Sequence, residues 1–320
     1  MRPLFAGAAM TAALILSSLG ATADAQTFPE KTIEIVNAFA PGGTNDLNIR
    51  AMESVAARVF GQPVVQVFKS GGGGISGTTE VANAKPDGYK LLVVSPGELT
   101  AGPNLTKTSY NLDSFAFIAQ LSSMPYGFVV RSESPWKDFN AFKKAAAAEP
   151  GKYSFGTTPR GGVFLAVQHL IRVSDLKVTV VPYSGSGPYV TALLGGHVDA
   201  VLAPMASIES HLQAGTLRLL ASTSMKRPEA YPSVPTFTEL GVNSTLELWV
   251  GIVAPKGVPD SHLTILRNKF GQIAKDPEYI KAAEKLGLAR AYAPADAFEK
   301  RVRAEDAEFK TLVKELGLAK

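Results

Sequence analysis

The feature that most constrains this chain is alternation. Short β-branched or aliphatic runs are separated by stretches of helical periodicity, from Thr32 nearly to the C-terminus. Thr32 to Ala38, Val64 to Phe68 and Lys90 to Val94 read as strands. Asn45 to Phe60 reads as a helix, because Met52, Val55, Ala56 and Val59 recur at i, i+3, i+4 and i+7. Ile75 to Ala84 reads as another helix, and Pro86-Asp87-Gly88 turns the chain. Strands separated by helices imply βαβ units and a mostly parallel sheet.

The alternation restarts after about residue 125. Gly127 to Val130, Tyr153 to Gly156, Val178 to Pro182, Ala200 to Ala203 and Leu217 to Ser222 read as strands. Asp138 to Ala148, Gly162 to Ile171, Pro188 to Leu194 and Ser207 to Ala214 read as helices. Leu246 to Val253 is strand-like but has no partner nearby in sequence. The remainder is helical: Pro259 to Ala274, Pro277 to Leu286 and Pro294 to Leu316. Those helices need a sheet to cover, and the first unit is short of helix. The tail is therefore expected to return to it. The expected architecture is α/β with two domains, sheets flanked by helices, and a central cleft. Domain 1 would comprise 27–124 plus 251–320, and domain 2 would comprise 125–250. Two chain crossings, near Met124–Tyr126 and Trp249–Gly251, would form a hinge.

The first 25 residues are read as a segment outside this fold. Arg2 gives a basic start, Leu4 to Leu16 is almost wholly apolar or small, and Ala21-Thr22-Ala23 and Ala23-Asp24-Ala25 follow. That order is a secretory signal peptide, with cleavage expected near Ala25. The apolar run is about 13 residues, against the ~20 of a membrane span, which argues against an uncleaved anchor. The expected location is the periplasm, where ATP and NAD are scarce.

Composition excludes several chemistries. The 320 residues contain no cysteine, so thiolate metal sites, thiol catalysis and disulfide frameworks are ruled out. The net charge of +4 comes from 32 basic and 28 acidic residues. The basic residues are scattered, so no nucleic-acid-binding stripe exists. His169, His197, His211 and His262 show no H-x-x-x-H spacing, and no serine lies in G-x-S-x-G. Ser134-Pro135-Trp136-Lys137 fits S-x-x-K, but no K-T-G follows. No metal and no cofactor are expected.

Candidate binding residues cluster in strand-to-helix turns. Phe39, Ala40, Pro41, Gly42, Gly43, Thr44, Asn45 and Asp46 join the first strand to the first helix. The glycines allow close backbone approach, and Thr44 or Asn45 can cap the helix. Helix N-termini attract carboxylate and phosphate, and ligands of open α/β sheets sit beyond the carboxyl ends of strands. Thr157, Thr158 and Arg160, ahead of Phe164, form a similar turn, as do Tyr183, Ser184 and Gly185. Both offer N–H and O–H donors to an anion. Each turn alone is also an ordinary βα connection. Ser95 stands at the end of the third strand, and Asp199 is either a ligand-facing group or a strand-end acceptor. Gly72, Gly74 and Gly77 satisfy G-x-G-x-x-G, with Glu98 21 residues beyond Gly77. A lone match inside four glycines is weak, and a turn that lines or braces the cleft is the better reading. Arg160 is the only basic residue in the three turns, and its fork suits a carboxylate. Phe39, Phe164, Tyr183 and Trp249 can supply flat walls. Together these residues favour a dicarboxylate or an aromatic acid.

Seven elements in register carry a family resemblance. Phe39-Ala40-Pro41-Gly42-Gly43 after a strand resembles the opening signature of the Bug-type receptors, the substrate-binding proteins of tripartite tricarboxylate transporters. Gly71 to Gly77 is similar to their second glycine-rich turn, and Pro86-Asp87-Gly88-Tyr89-Lys90-Leu91-Leu92 to their P-D-G-Y-x-L-L element. Pro103-Asn104-Leu105 resembles N-P-x-L with two residues exchanged. Pro182-Tyr183-Ser184-Gly185 resembles P-Y-x-G. Leu193 to Asp199 resembles L-x-G-G-x-V-D, and Leu248 to Pro255 resembles W-x-G-x-x-A-P. The match spans about residues 28–320.

The resemblance implies a Venus-flytrap fold without enzymatic activity. It implies a carboxylated ligand held by backbone and hydroxyl groups of the facing loops Phe39 to Asp46 and Tyr183 to Gly187. It also implies membrane transporter subunits as partners of a monomeric receptor. Two departures stand out. Gly162-Val163-Phe164-Leu165, after Arg160, replaces the family's G-S-x-x-H-L, and Glu98 stands where a small or polar residue is usual. The competing readings are an exported serine hydrolase and a receptor feeding a sensor kinase. The missing catalytic motifs count against the hydrolase.

Overall fold

The computed structural model describes residues 28–39 and 41–318. The proposed signal peptide, its cleavage site and Ala40 lie outside the described residues. Among those described, no helix is long and apolar enough to cross a membrane.

Strands β1 (Ile33–Asn37), β2 (Val64–Phe68) and β3 (Lys90–Val94) form a parallel set in the order β2-β1-β3. After the single-turn helix α3 (Gly102–Leu105), the next strand, β4, runs without a break from Phe115 to Arg131. Its first half pairs antiparallel with β9 (Glu247–Pro255), which also pairs with β3, and with β10 (Arg290–Pro294). Its second half pairs antiparallel with β7 (Ala200–Pro204) and β8 (Leu217–Ser222). Beyond β7 lie β5 (Ser154–Thr157) and β6 (Thr179–Pro182), both parallel. The βαβ units supply parallel ladders at the two ends, and the long crossing strands make the centre antiparallel. The sheets are therefore mixed. The strand-like segment that had no neighbour in sequence becomes β9, whose partners are more than 100 residues earlier.

Helices cover both faces of each half. Ile33 and Ile35 of β1 and Leu91 and Val93 of β3 point to one side. There they meet α1 (Thr44–Phe60), α8 (Asp260–Ile273) and α9 (Pro277–Lys285). Val36, Leu92 and Val94 point to the other side, towards α2 (Ile75–Ala82) and the start of α10 (Ala295–Glu315). In the second half Phe128, Val130, Ala200 and Leu202 face α4 (Phe139–Ala148) and α5 (Gly162–Ser174). Val129, Val201 and Ala203 face α6 (Ser186–Leu194) and α7 (Met205–Gln213). Side chains alternate across a strand, so strands covered on both faces read as continuous apolar runs.

The C-terminal tail does more than cover the first sheet. Phe298 and Val302 of α10 join the core on β3 and β9, whereas Phe309, Leu312 and Val313 join the core on β5 and α5. A helix of 21 residues is about 31 Å long, enough to reach from one sheet to the other.

Candidate functional site

The carboxyl ends of β1, β3 and β5 open onto a cavity of ≈ 410 Å³. From the first sheet it is lined by Phe39, the glycine turn at Gly72 and Gly73, and Ser95-Pro96-Gly97. From the second it is lined by Thr158, Arg160, Gly161, Gly162 and Val163. Leu248, next to the crossing, lies in its wall. The two sides touch: a Cβ placed on Gly162 would lie 3.0 Å from Pro96 Cβ.

The glycine turn has a steric cause. Gly71, Gly72, Gly73 and Gly74 have φ of 148°, 57°, 68° and 96°, a succession only glycine adopts cheaply. The chain thereby presents bare backbone to the cavity and starts α2 immediately after. Behind it, the Phe39 ring sits against Gly74 and Gly97, with a built Cβ reaching Phe39 Cζ at 3.2 and 3.3 Å. Gly74→Ala is expected to strain the turn by about 1–2 kcal/mol, the cost of a left-handed L-residue. It should also displace the Phe39 ring. Urea unfolding and ligand affinity, measured together, check both effects.

Arg160 is the only charged residue among those lining the cavity, and it makes no ion pair with any described residue. It stands just before the N-terminus of α5, where Gly161 is the N-cap and no side chain caps the first turn. A guanidinium beside free helix N–H groups is a strong pole for an anion. Phe39, Ile75, Leu105, Val163 and Leu248 make the rest of the wall mainly apolar.

Glu98 lies just behind that wall. Its side chain is fully buried. Oε1 accepts from Asn45 Nδ2 at 2.8 Å, and Oε2 accepts from Ser95 N at 3.0 Å and Ser95 Oγ at 2.6 Å. Burial pushes its pKa up to about 7, against the lowering effect of those donors. A second buried acid, Glu305 of α10, accepts from Thr100 Oγ1 at 2.6 Å and Trp249 Nε1 at 3.0 Å. Burial raises it to about 7 as well.

Of the residues expected at the site, Phe39, Ser95, Thr158 and Arg160 line this cavity. Pro41, Gly42, Gly43 and Thr44 form the turn into α1 without lining it. Gly43 is the N-cap there and no side chain caps the helix. The expected caps lie inside the helix: Thr44 is its first residue, and the Asn45 side chain reaches Glu98. Asp46 is buried, accepts from Gly42 N at 2.7 Å and pairs with Arg50 at 2.9 Å, so it braces the loop from inside. Thr157 is fully buried at the end of β5. Tyr183, Ser184 and Gly185 form the neighbouring turn, where Tyr183 N donates to Thr157 O at 2.7 Å. Phe164 packs partly on the core of the second half.

Two assignments are corrected. Asp199 lies at the opposite end of β5, where Oδ2 accepts from Ser154 N and Ser154 Oγ. It is a strand-end acceptor, remote from the carboxyl ends that form the cavity. Trp249 is fully buried between β9 and α10, and it is its neighbour Leu248 that meets the cavity. Ser134 is buried while Lys137 is exposed, so the S-x-x-K match forms no open nucleophile site. Pro96, Gly97, Val163 and Leu248 were not among the expected site residues, whereas the glycine turn expected to line or brace the cleft contributes Gly72 and Gly73 to the cavity. Pro96 and Gly97 follow directly on a strand's carboxyl end, which is the signal that could have marked them.

A second cavity, of ≈ 420 Å³, lies between Asn104, Asp113, Arg303, Asp306 and Lys310. Four of its charges pair off, Arg303 on Asp113 at 2.8 Å and Lys310 on Asp306 at 2.6 Å, while the exposed Lys107 in its lining makes no ion pair with any described residue. Its lining is mostly polar and charged, unlike the apolar wall around Arg160.

Two mixed sheets flanked by helices, with strand-end loops meeting over a cavity, define an α/β periplasmic-binding-protein fold. Comparison with known proteins places the chain within that class. A family model described as "Tripartite tricarboxylate transporter family receptor" matches residues 48–318. A Cupriavidus necator protein described as "UPF0065 protein in gbd 5'region" is 31% identical, the match covering 98% of this chain and 96% of that one. Protein BugT of Bordetella pertussis is 28% identical over 94% of each. The crystal structure of a TctC solute binding protein from Polaromonas superposes with a TM-score of 0.83 at 27% identity, covering 90% of this chain and all of that one. MatC from Rhodopseudomonas palustris, with bound malate, superposes with a TM-score of 0.73 at 26% identity, covering 89% and 100%. The chain belongs to the tripartite tricarboxylate transporter receptor family, whose members are solute receptors and not enzymes.

Proposed function

We propose that this protein is a periplasmic receptor for a small organic acid with an apolar middle, a dicarboxylate or an aromatic acid, delivered to membrane transporter subunits. The observation that carries the reading is Arg160, an unpaired guanidinium beside the uncapped start of α5 in an otherwise uncharged cavity. Phe39, Val163 and Leu248 favour a flat or extended body between polar ends. Malate bound to MatC is consistent with a dicarboxylate. The family description supports the transporter partner, and the signal-peptide pattern supports export.

The proposal includes a division into two moving units, 27–124 plus 251–320 and 125–250, that close on the ligand. The paired crossings of β4 and β9, where Ser123 faces Trp249 and Met124 faces Leu248, are the proposed hinge. The end of α10 packs on the second core, so it must slide as the units move. A thermal-shift screen over mono-, di- and tricarboxylates and aromatic acids tests the reading. A dicarboxylate or aromatic acid should raise the unfolding midpoint in proportion to its binding. The same acid should shrink the radius measured by small-angle scattering. A screen in which no acid binds would refute the receptor reading, and binding at constant radius would refute closure.

A further inference from the structure

We propose that Glu98 is a positioning residue that couples carboxylate binding to the uptake of one proton, through the hydroxyl of Ser95. The proposal rests on the receptor reading above and concerns the same cavity.

The geometry sets two alternative hydrogen-bond patterns. With Glu98 ionised, its three donors are Asn45 Nδ2, Ser95 N and Ser95 Oγ. Ser95 lines the cavity, yet its only hydroxyl hydrogen points away from it, to Oε2 at 2.6 Å. An anion in the cavity then meets an oxygen lone pair of Ser95 with a buried negative charge behind it. When a proton from solvent adds to Oε2, that oxygen can donate to Ser95 Oγ. The serine hydrogen is released and can donate to a ligand carboxylate. Oε1 keeps the Asn45 bond in either state. Protonation thus removes an opposing charge and adds a donor in one step.

The surroundings let the carboxyl change state near neutrality. Burial raises it to about 7. The groups packed around it are otherwise uncharged: Asn45 on α1, the Gly74 turn and Thr78 on α2, the Phe39 ring, and Tyr110, whose hydroxyl donates to the Glu98 carbonyl at 2.9 Å. Tyr110 is pushed up to about 12 and stays neutral. The nearby charges are neutralised or remote. Asp46 on α1 is paired with Arg50, Glu305 on α10 is reached only through Thr100, and Arg160 belongs to the second half.

The sign follows from linkage. A bound anion raises the Glu98 pKa further, so the complex holds more protons than the free receptor above neutrality. Affinity is flat below about pH 7 and falls as pH rises, by at most roughly tenfold per unit.

The test uses succinate, malate, glutarate and benzoate as probes, with calorimetry from pH 6 to pH 9, where their own carboxyls remain ionised. For each probe that binds, the wild-type Kd should rise at least roughly tenfold across the range, with proton uptake seen as a dependence of the heat on buffer ionisation enthalpy. Glu98→Gln, a neutral isostere, should bind at least as tightly at high pH and lose the slope. Ser95→Ala should weaken binding at low pH and reduce the slope. Carbon NMR of the glutamate carboxyls in the free protein should show a titration near neutrality that Glu98→Gln abolishes and Glu305→Gln leaves in place. A probe that binds wild type with a flat profile, or a Glu98→Gln variant that keeps the slope, overturns the proposal and leaves the receptor reading standing. If no probe binds either protein at any pH, both fail.

Discussion

Trp249→Ala is expected to destabilise the fold by about 3–5 kcal/mol, the range for removing a large buried aromatic side chain. The ring is fully buried and packs edge-on against Phe298 with centroids 5.3 Å apart, so truncation opens a cavity between β9 and α10. The loss should fall at the top of the range for a second reason. Trp249 Nε1 donates to Glu305 Oε2, and Glu305 is buried with Thr100 as its other donor. Removing the donor from a buried acceptor costs about 1–3 kcal/mol by itself. Trp249→Phe separates the terms, since it keeps most of the apolar contact and removes the N–H. It should cost less than the alanine variant and leave ligand affinity unchanged, because Leu248 and not Trp249 meets the cavity. Urea unfolding of both variants, with affinity measured on Trp249→Phe, checks this. A loss of affinity without a loss of stability would return Trp249 to the ligand wall.

The fate of Trp249 shows what the chain's pattern can and cannot convey. Residue type marked Leu246 to Val253 as a strand, and β9 spans Glu247–Pro255. Which face of that strand meets the cavity depends on partners remote in sequence, β3, β4 and α10, and no local pattern encodes it. The same limit hid most of β4. Gly127 to Val130 was legible, but Phe115 to Tyr126 mixes aromatic, small and hydroxyl residues without alternation. It is covered on both faces, and burial on both faces erases the period-two signal. Arg290 to Pro294 is too short and too close to the α10 pattern to stand out, yet β4 pairs with it as β10. By contrast, β2, β3 and β8 match their expected bounds, because β-branched runs between turn residues need no distant context.

The site divides in the same way. The turns after β1 and β5 were visible because glycine and hydroxyl residues follow strands, and the cavity does lie at the carboxyl ends. Which residues of those turns face it was not visible. Asp46 and Asp199 are acids beside such turns or strands, but each is held by a backbone donor, Asp46 by Gly42 in its own turn and Asp199 by Ser154 on the neighbouring strand. Glu98 stood out only as the acid 21 residues beyond Gly77 and as a departure where a small or polar residue is usual. Its place behind the wall depends on Asn45, 53 positions earlier.

Arg160→Ala is expected to weaken a dicarboxylate by about 1.5–3 kcal/mol, the range for hydrogen bonds to charged groups, or roughly 10- to 150-fold in Kd. No described acid pairs with the guanidinium, so its removal leaves no buried charge stranded and the fold should be unaffected. The side chain is exposed, which places the effect towards the lower end in the open form and higher if closure excludes water. Arg160→Lys keeps the charge and loses the planar fork, so it should recover part of the affinity. The N-terminus of α5 remains in both variants and retains some attraction for the anion. The comparison that decides the assignment uses a dicarboxylate and its monocarboxylate analogue on wild type and Arg160→Ala. If Arg160 reads the second carboxylate, the dicarboxylate loses affinity and the analogue, already lacking that group, does not. Equal losses would mean that Arg160 binds the carboxylate common to both, and the preference for a dicarboxylate would then have to be abandoned.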